Sequence, residues 1–126
     1  MANELTINGT VYSFVFGFGF MREINRSVQV PVQGVSGMKK DAGLKYCVAG
    51  LLDGDPEELI RVLDVANKGQ DPRIQRKDLE AFIEDENTDI DGLFNTVIDF
   101  LGSANCCKRV VLDIQEALEK QKAKNA

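Results

Sequence analysis

The chain has 126 residues, 44% of them apolar, and sets 15 Lys and Arg against 20 Asp and Glu for a net charge of −5. That length suits one domain with its own core, and the acidic balance argues against a nucleic-acid binder, which needs a concentrated basic face. The absence of His excludes imidazole-based catalysis and metal ligation, and no Trp with only two Tyr leaves no aromatic platform for stacking bases.

The three cysteines, Cys47, Cys106 and Cys107, are odd in number and two are adjacent. That is no disulfide framework, and it fits a reducing compartment. The amino-terminal residues lack the basic and apolar regions of a signal peptide. The most apolar run, Val11 to Met21, is far shorter than the roughly 20 residues a membrane span needs.

In chain order, Leu5-Thr6-Ile7, Asn8-Gly9 and Thr10 to Phe14 predict a hairpin, because Asn-Gly accepts the positive φ angles of a type I′ turn. Alternation places Leu5 and Ile7 on one face of the first strand, and Tyr12, Phe14 and Phe16 on one face of the second. Gly17-Phe18-Gly19 reads as a break in which glycines make room for bulky neighbours, followed by a short helix from Phe20 to Arg26. The stretch from Ser27 to Gly37 reads as an extended loop or edge strand.

Helical patterning dominates the remainder. Leu44, Cys47, Val48, Leu51 and Leu52 form one stripe that Gly54 ends. Asp55-Pro56-Glu57-Glu58 is a helix start with Asp at the N-cap, Pro at N1 and acids in the first turn. That helix turns Leu59, Val62, Leu63 and Ala66 inward and stops at Gly69. Arg76 to Glu84 is a short helix with Leu79, Phe82 and Ile83. Thr88 at the N-cap and Asp91 at N3 predict the next helix, with Ile90, Leu93, Phe94, Val97, Ile98 and Leu101 inward and Gly102 just past its end. A last helix, from about Cys107 to Lys120, carries Val110, Val111, Ile114 and Leu118, and the tail after it is expected to fray. The expected fold is α+β and mainly α-helical: one domain over 1–126, with a hairpin at 4–16 packed on about five amphipathic helices within a body at 20–119, then a tail at 120–126.

Charge is uneven along this path. Asp78 to Asp99 holds eight acids and no base, whereas Lys108 to Ala126 holds five bases and three acids. Either these are a solvated face and a solvated tail, or opposite ends attract and give head-to-tail association into a homo-oligomer.

Motifs with chemistry are weak. Asn87 to Gly92 imitates the front of a calcium loop, but the twelfth position, where a bidentate Glu must close the coordination sphere, is Ile98. Gly17-Phe18-Gly19 lacks the third glycine and the βαβ unit of a dinucleotide site, since position 22 is Arg. Cys106-Cys107 has no second pair to complete a zinc site; on a helix one faces inward and the other outward. Arg22, Glu23 and Arg26 read as helix-surface contacts. Without His, only Lys or acids are left as bases for a nucleophile, so an enzyme is not expected, nor any cofactor or metal.

The ordered segments carry a resemblance. Glu4-Leu5-Thr6-Ile7-Asn8-Gly9-Thr10-Val11-Tyr12 leading into Phe16-Gly17-Phe18-Gly19-Phe20-Met21-Arg22-Glu23-Ile24-Asn25 resembles the opening of tail assembly chaperones from long-tailed phages and prophages of Gram-positive bacteria. Gly43-Leu44-Lys45-Tyr46, Ala49 to Asp55, Ala66 to Gln70, Pro72-Arg73, Arg76 to Ile83 and Thr88 to Phe94 are similar in order and spacing. The likeness covers roughly residues 4 to 119. Gln75 departs from the pattern, which has a capping Thr before Arg76, and the paired cysteines look peculiar to this chain.

The resemblance implies a non-enzymatic protein of the host cytoplasm. Its family binds the helical tape measure protein, keeps it soluble, helps recruit the tail tube protein and is absent from the mature virion. It also implies a longer form of the same chain made by ribosomal frameshifting, which would be a further partner. Neither nucleic acid nor membrane is an expected partner. The alternative function is a structural subunit retained in the tail. Candidate client surfaces are the aromatic edge with Phe14, Phe16 and Phe18, and the last helix with Val110, Val111, Ile114 and Leu118. Both read first as ordinary core.

Overall fold

Asn8 and Gly9 take φ angles of 53° and 79°, so the turn that joins β1 (Asn3–Ile7) to β2 (Thr10–Phe14) has left-handed backbone at both central positions, as a type I′ turn requires. The structure is a computed structural model that describes residues 3–124. The strands pair antiparallel with Leu5 opposite Tyr12 and Ile7 opposite Thr10, so Leu5, Ile7, Tyr12 and Phe14 share the face turned to the core. A two-stranded ribbon is marginal alone, and this one is tied down at its end: the Val15 amide donates to the Ala66 carbonyl at 2.8 Å.

Helix α1 (Phe18–Arg26) begins two residues earlier than expected. Gly17 is extended and acts as the N-cap residue, with its carbonyl accepting from the Met21 amide at 3.0 Å. The two early glycines do not make room for anything. A Cβ at Gly19 would meet nothing within 4 Å, and one at Gly17 only Val15 Cγ1 at 4.0 Å. Gly19→Ala is therefore expected to stabilise the fold by about 0.5 kcal/mol, through lower chain entropy in the unfolded state; a higher urea midpoint at unchanged slope would report it.

The stretch expected as a loop or edge strand folds back on itself. β3 (Gln29–Pro31) pairs antiparallel with β4 (Lys39–Asp41), and Gly34 and Gly37 take positive φ in the connection between them. Val35 and Met38 lie exposed in that connection. Strands of three residues with β4 wholly exposed lack the buried face that makes alternation visible in a sequence.

Helix α2 (Gly43–Leu52) starts where it crosses α1. Its N-cap, Ala42, offers no side-chain acceptor, and the Leu44 amide instead donates to Asn25 Oδ1 on α1 at 3.3 Å. Gly54 follows α2 with φ 81°, the left-handed residue expected there. Helix α3 (Pro56–Asn67) is capped as predicted, with Asp55 Oδ1 accepting from the Glu57 amide at 3.0 Å. Helix α4 (Arg76–Glu84) follows Gln75, which makes no side-chain cap; the Gln75 carbonyl accepts from the Asp78 amide instead.

Two details of α5 (Ile90–Ser103) differ from expectation. Thr88 does not cap it, because its hydroxyl donates back to the Phe82 carbonyl at 2.7 Å and closes the end of α4. Asp89 takes the role, accepting from the Gly92 amide at 3.0 Å. Gly102 lies inside α5 rather than beyond it: Ser103 is the last helical residue, with its hydroxyl on the Asp99 carbonyl, and Ala104 donates back to Leu101.

Helix α6 (Lys108–Lys124) continues through the lysine-containing stretch expected to fray, with residues 116 to 124 exposed. Residues 125 and 126 of the expected tail lie outside the described residues. The six helices and the first hairpin share one hydrophobic cluster, which runs from Ile7 and Phe14 through Leu51 and Leu63 to Leu101 and Val111. Among the described residues, no helix is long and apolar enough to cross a membrane.

Candidate interaction surfaces

The aromatic run from Phe14 to Phe20 divides between core and surface. Phe14 and Phe16 are buried, and Phe16 packs edge-on to Phe20 at 4.9 Å between ring centroids and tilted against Phe100 at 5.9 Å. Phe18 is 59% exposed, with the Arg22 guanidinium 5.2 Å from its ring centre. Val11 and Val15 are also exposed. Of the three phenylalanines singled out in the sequence, Phe18 alone is presented to solvent.

The last helix divides in the same way. Val111 is buried, Val110 and Ile114 are half-buried against the core, and Leu118 is exposed. Leu118 and Lys122 form one wall of a groove of about 590 Å³ whose other wall is Tyr46, Ala49, Gly50 and Leu52 of α2. Across α6, Lys108, Arg109, Val111 and Leu112 line a second groove of about 570 Å³ with Gly102 and Asn105.

Sequence reasoning missed Tyr46, Leu112, Val35 and Met38 as exposed apolar groups. The signal for the two helical ones was present. Tyr46 lies off the stripe of Leu44, Cys47, Val48 and Leu51, and Leu112 lies off that of Val111, Ile114 and Leu118. A large apolar residue outside the buried face of an amphipathic helix points to solvent.

Several charged side chains are spent on the fold. Glu23 of α1 pairs with Lys68 after α3, and Arg73 meets Asp64 Oδ1 at 2.9 Å. Glu58 of α3 packs under Gly50, where a Cβ would lie 2.6 Å from its Cγ. Arg61 donates to the Ser27 hydroxyl at 2.8 Å.

The cysteines are placed for packing. Burial pushes the Cys47 thiol up, and the Glu58 carboxylate adds to the rise. Burial first, and Cys106 second, push the Cys107 thiol up to about 11. Cys107 is buried and Cys106 half-buried against the core. Both lie in the turn before α6 rather than on a helix, so neither is turned fully outward as one was expected to be. The unfolded Cys107 thiol ionises from its ordinary 9.0 while the folded one stays protonated. Its contribution is therefore intact below that value and is lost as pH rises toward about 11. Urea midpoints taken stepwise through that window should fall, and fall less in Cys107→Ala.

No curated protein and no solved structure matches the chain. The family model described as phage tail assembly chaperone protein, TAC, matches residues 4–116. That span takes in the hairpin, α1 to α5 and the first half of α6. The chain belongs to the phage tail assembly chaperone family.

Proposed function

We infer that this chain binds the tape measure protein of a long phage tail in the cytoplasm of a Gram-positive host. It keeps that protein soluble and helps recruit tail tube subunits around it. It acts together with a longer form of itself made by ribosomal frameshifting and leaves no copy in the finished virion. The observation that carries this reading is the family match across residues 4–116.

The exposed apolar side chains support it. A chaperone for an aggregation-prone helical client must present apolar surface and still stay soluble through its charge. Exposed Phe18 is one such apolar group, and Leu118 facing Tyr46 across a groove forms another. Phe14, Phe16 and Val111 are committed to the core, and Val110 and Ile114 support the wall that carries Leu118.

Co-expression with the tape measure protein tests the reading. The client is expected in the soluble fraction, co-eluting with the tagged chain, and its yield is expected to drop several-fold with Phe18→Ser or with Tyr46→Ser/Leu118→Ser. A client that remains insoluble and unbound with both forms of the chaperone present would remove the reading. Recovery of this chain from digested virions would replace it with a structural subunit of the tail.

A further inference from the structure

Residues 18–45 hold five bases, Arg22, Arg26, Lys39, Lys40 and Lys45, against two acids, Glu23 and Asp41, in a chain whose overall balance is acidic. All five bases are exposed. Neither acid pairs with them: Glu23 meets Lys68, and Asp41 Oδ1 accepts from Gln29 Nε2 at 3.1 Å. Among the described residues, none of the five has a carboxylate within ion-pair distance.

Two of these cations are held in place without an anion. Phe18, Arg22 and Arg26 are exposed at i, i+4 and i+8, one line along the outer face of α1. That line is about 12 Å long at 1.5 Å per residue. The Arg22 guanidinium stays over the Phe18 ring, 5.2 Å from its centre, and Arg26 Nε donates to the Arg22 carbonyl at 3.2 Å. Like charges one turn apart repel, and the single acid of α1, Glu23, is turned to Lys68 instead of relieving them. Beside the line, a cleft of about 380 Å³ separates α1 from β4, with Met21 and Asn25 on the helix side and Asp41 on the other.

We propose that this face of α1 binds a helical segment of the client that carries carboxylates one turn apart beside an apolar side chain. The apolar side chain covers Phe18. The carboxylates take the guanidiniums of Arg22 and Arg26, whose forked N–H groups match a carboxylate in pairs. A helix fits because its residues at i, i+4 and i+8 repeat at the spacing of the α1 line. Charge selects the segment and places it: acids are drawn to a stretch where this chain has bases in excess, and repelled by the eight acids between Asp78 and Asp99. The inference rests on the client-binding reading for the partner's identity and adds the chemistry that selects the bound segment.

Labelled peptides tiled through the tape measure protein, about 25 residues each so that helix can form, test this by fluorescence anisotropy. The peptides held by the parent chain are expected to carry an apolar residue and two acids at four-residue spacing, and to be released at about 500 mM salt. Arg22→Glu/Arg26→Glu changes only exposed side chains and is expected to weaken their binding at least tenfold. Recovery of the full-length client in co-expression is expected to fall with the same variant. A held peptide whose acids are replaced by Lys is expected to bind that variant and not the parent, which a variant that had merely failed to fold would not do. Held peptides without paired acids, a variant that binds peptide and client like the parent, or a swapped peptide that fails to bind the variant would each overturn the proposal. In those cases a client still held by the parent leaves the client-binding reading standing. If the parent holds neither peptides nor full-length client, that reading falls and the proposal with it. Dimers of the purified parent that Arg22→Glu/Arg26→Glu abolishes would give the face to a second copy, and capture of a labelled RNA oligonucleotide in place of the peptides would give it to nucleic acid; either overturns the proposal.

Discussion

Asn67→Ala should cost about 4 kcal/mol of stability, the largest loss expected of any single substitution away from the aliphatic core. Asn67 is fully buried at the end of α3, and its amide is used on both sides. Nδ2 donates to the Ser13 carbonyl at 2.9 Å and to the Pro72 carbonyl at 3.3 Å. Oδ1 accepts from the Ile74 amide at 2.7 Å and from Arg73 at 3.2 Å. One side chain therefore joins the hairpin, the end of α3 and the segment that leads into α4. Truncation leaves the buried Ile74 amide without a partner, at about 1–3 kcal/mol, removes a donor from two part-buried carbonyls, and leaves a cavity in place of the side chain. Arg73→Ala, in the same network, removes a half-exposed ion pair with Asp64 and should cost under about 1 kcal/mol. Urea denaturation of the two variants side by side separates a buried polar hub from a surface contact. Equal losses would mean that Asn67 is not the hub.

Gly43→Ala should destabilise by about 3 kcal/mol, although Ala is the better helix former. A Cβ at this position would overlap the Ile24 carbonyl oxygen and lie 2.7 Å from Ser27 Oγ and 2.9 Å from the Asn25 carbonyl oxygen. Two of those obstacles are backbone, so relief requires α1 and α2 to separate. Separation would also break the bond from the Leu44 amide to Asn25 Oδ1. Gly43→Ala and Gly19→Ala make the same chemical change in two neighbouring helices, with opposite expected signs. A thermal or urea comparison of the pair isolates close approach from helix propensity, and a stabilised Gly43→Ala would contradict the packing described here.

Much of the architecture was legible because its signals are local. Asn8-Gly9 specifies its turn, Asp55-Pro56 specifies its helix start, and the stripes of α2, α3, α5 and α6 repeat at the helical period. The misses have physical causes. The β3–β4 ribbon buries too little for a pattern to form. The choice between Thr88 and Asp89 as cap depends on a carbonyl six residues back, at Phe82. Nothing local marks Asn67 as a hub, because its partners lie as far away in sequence as Ser13.

The candidate surface was only partly legible, for a related reason. Strand alternation assigns Phe14 and Phe16 to one face, and Phe18, in the break that follows, reads with them as one aromatic edge. The backbone becomes helical at Phe18, so the period changes from 2 to 3.6 residues and that ring turns outward. A two-residue error in a helix boundary was enough to merge a surface aromatic with two core ones.

The anchoring of the hairpin also bears on the order in which the chain can fold as it is synthesised. β1 and β2 are made first, yet the groups that hold them come late: the Ala66 carbonyl, the Asn67 amide and the Phe100 ring. Until α3 has left the ribosome the hairpin lacks its backbone anchor, and Phe16, which meets Phe20 of α1 early, gains its last aromatic neighbour only with α5. The nascent hairpin is therefore itself an apolar segment awaiting a partner until α3 follows it.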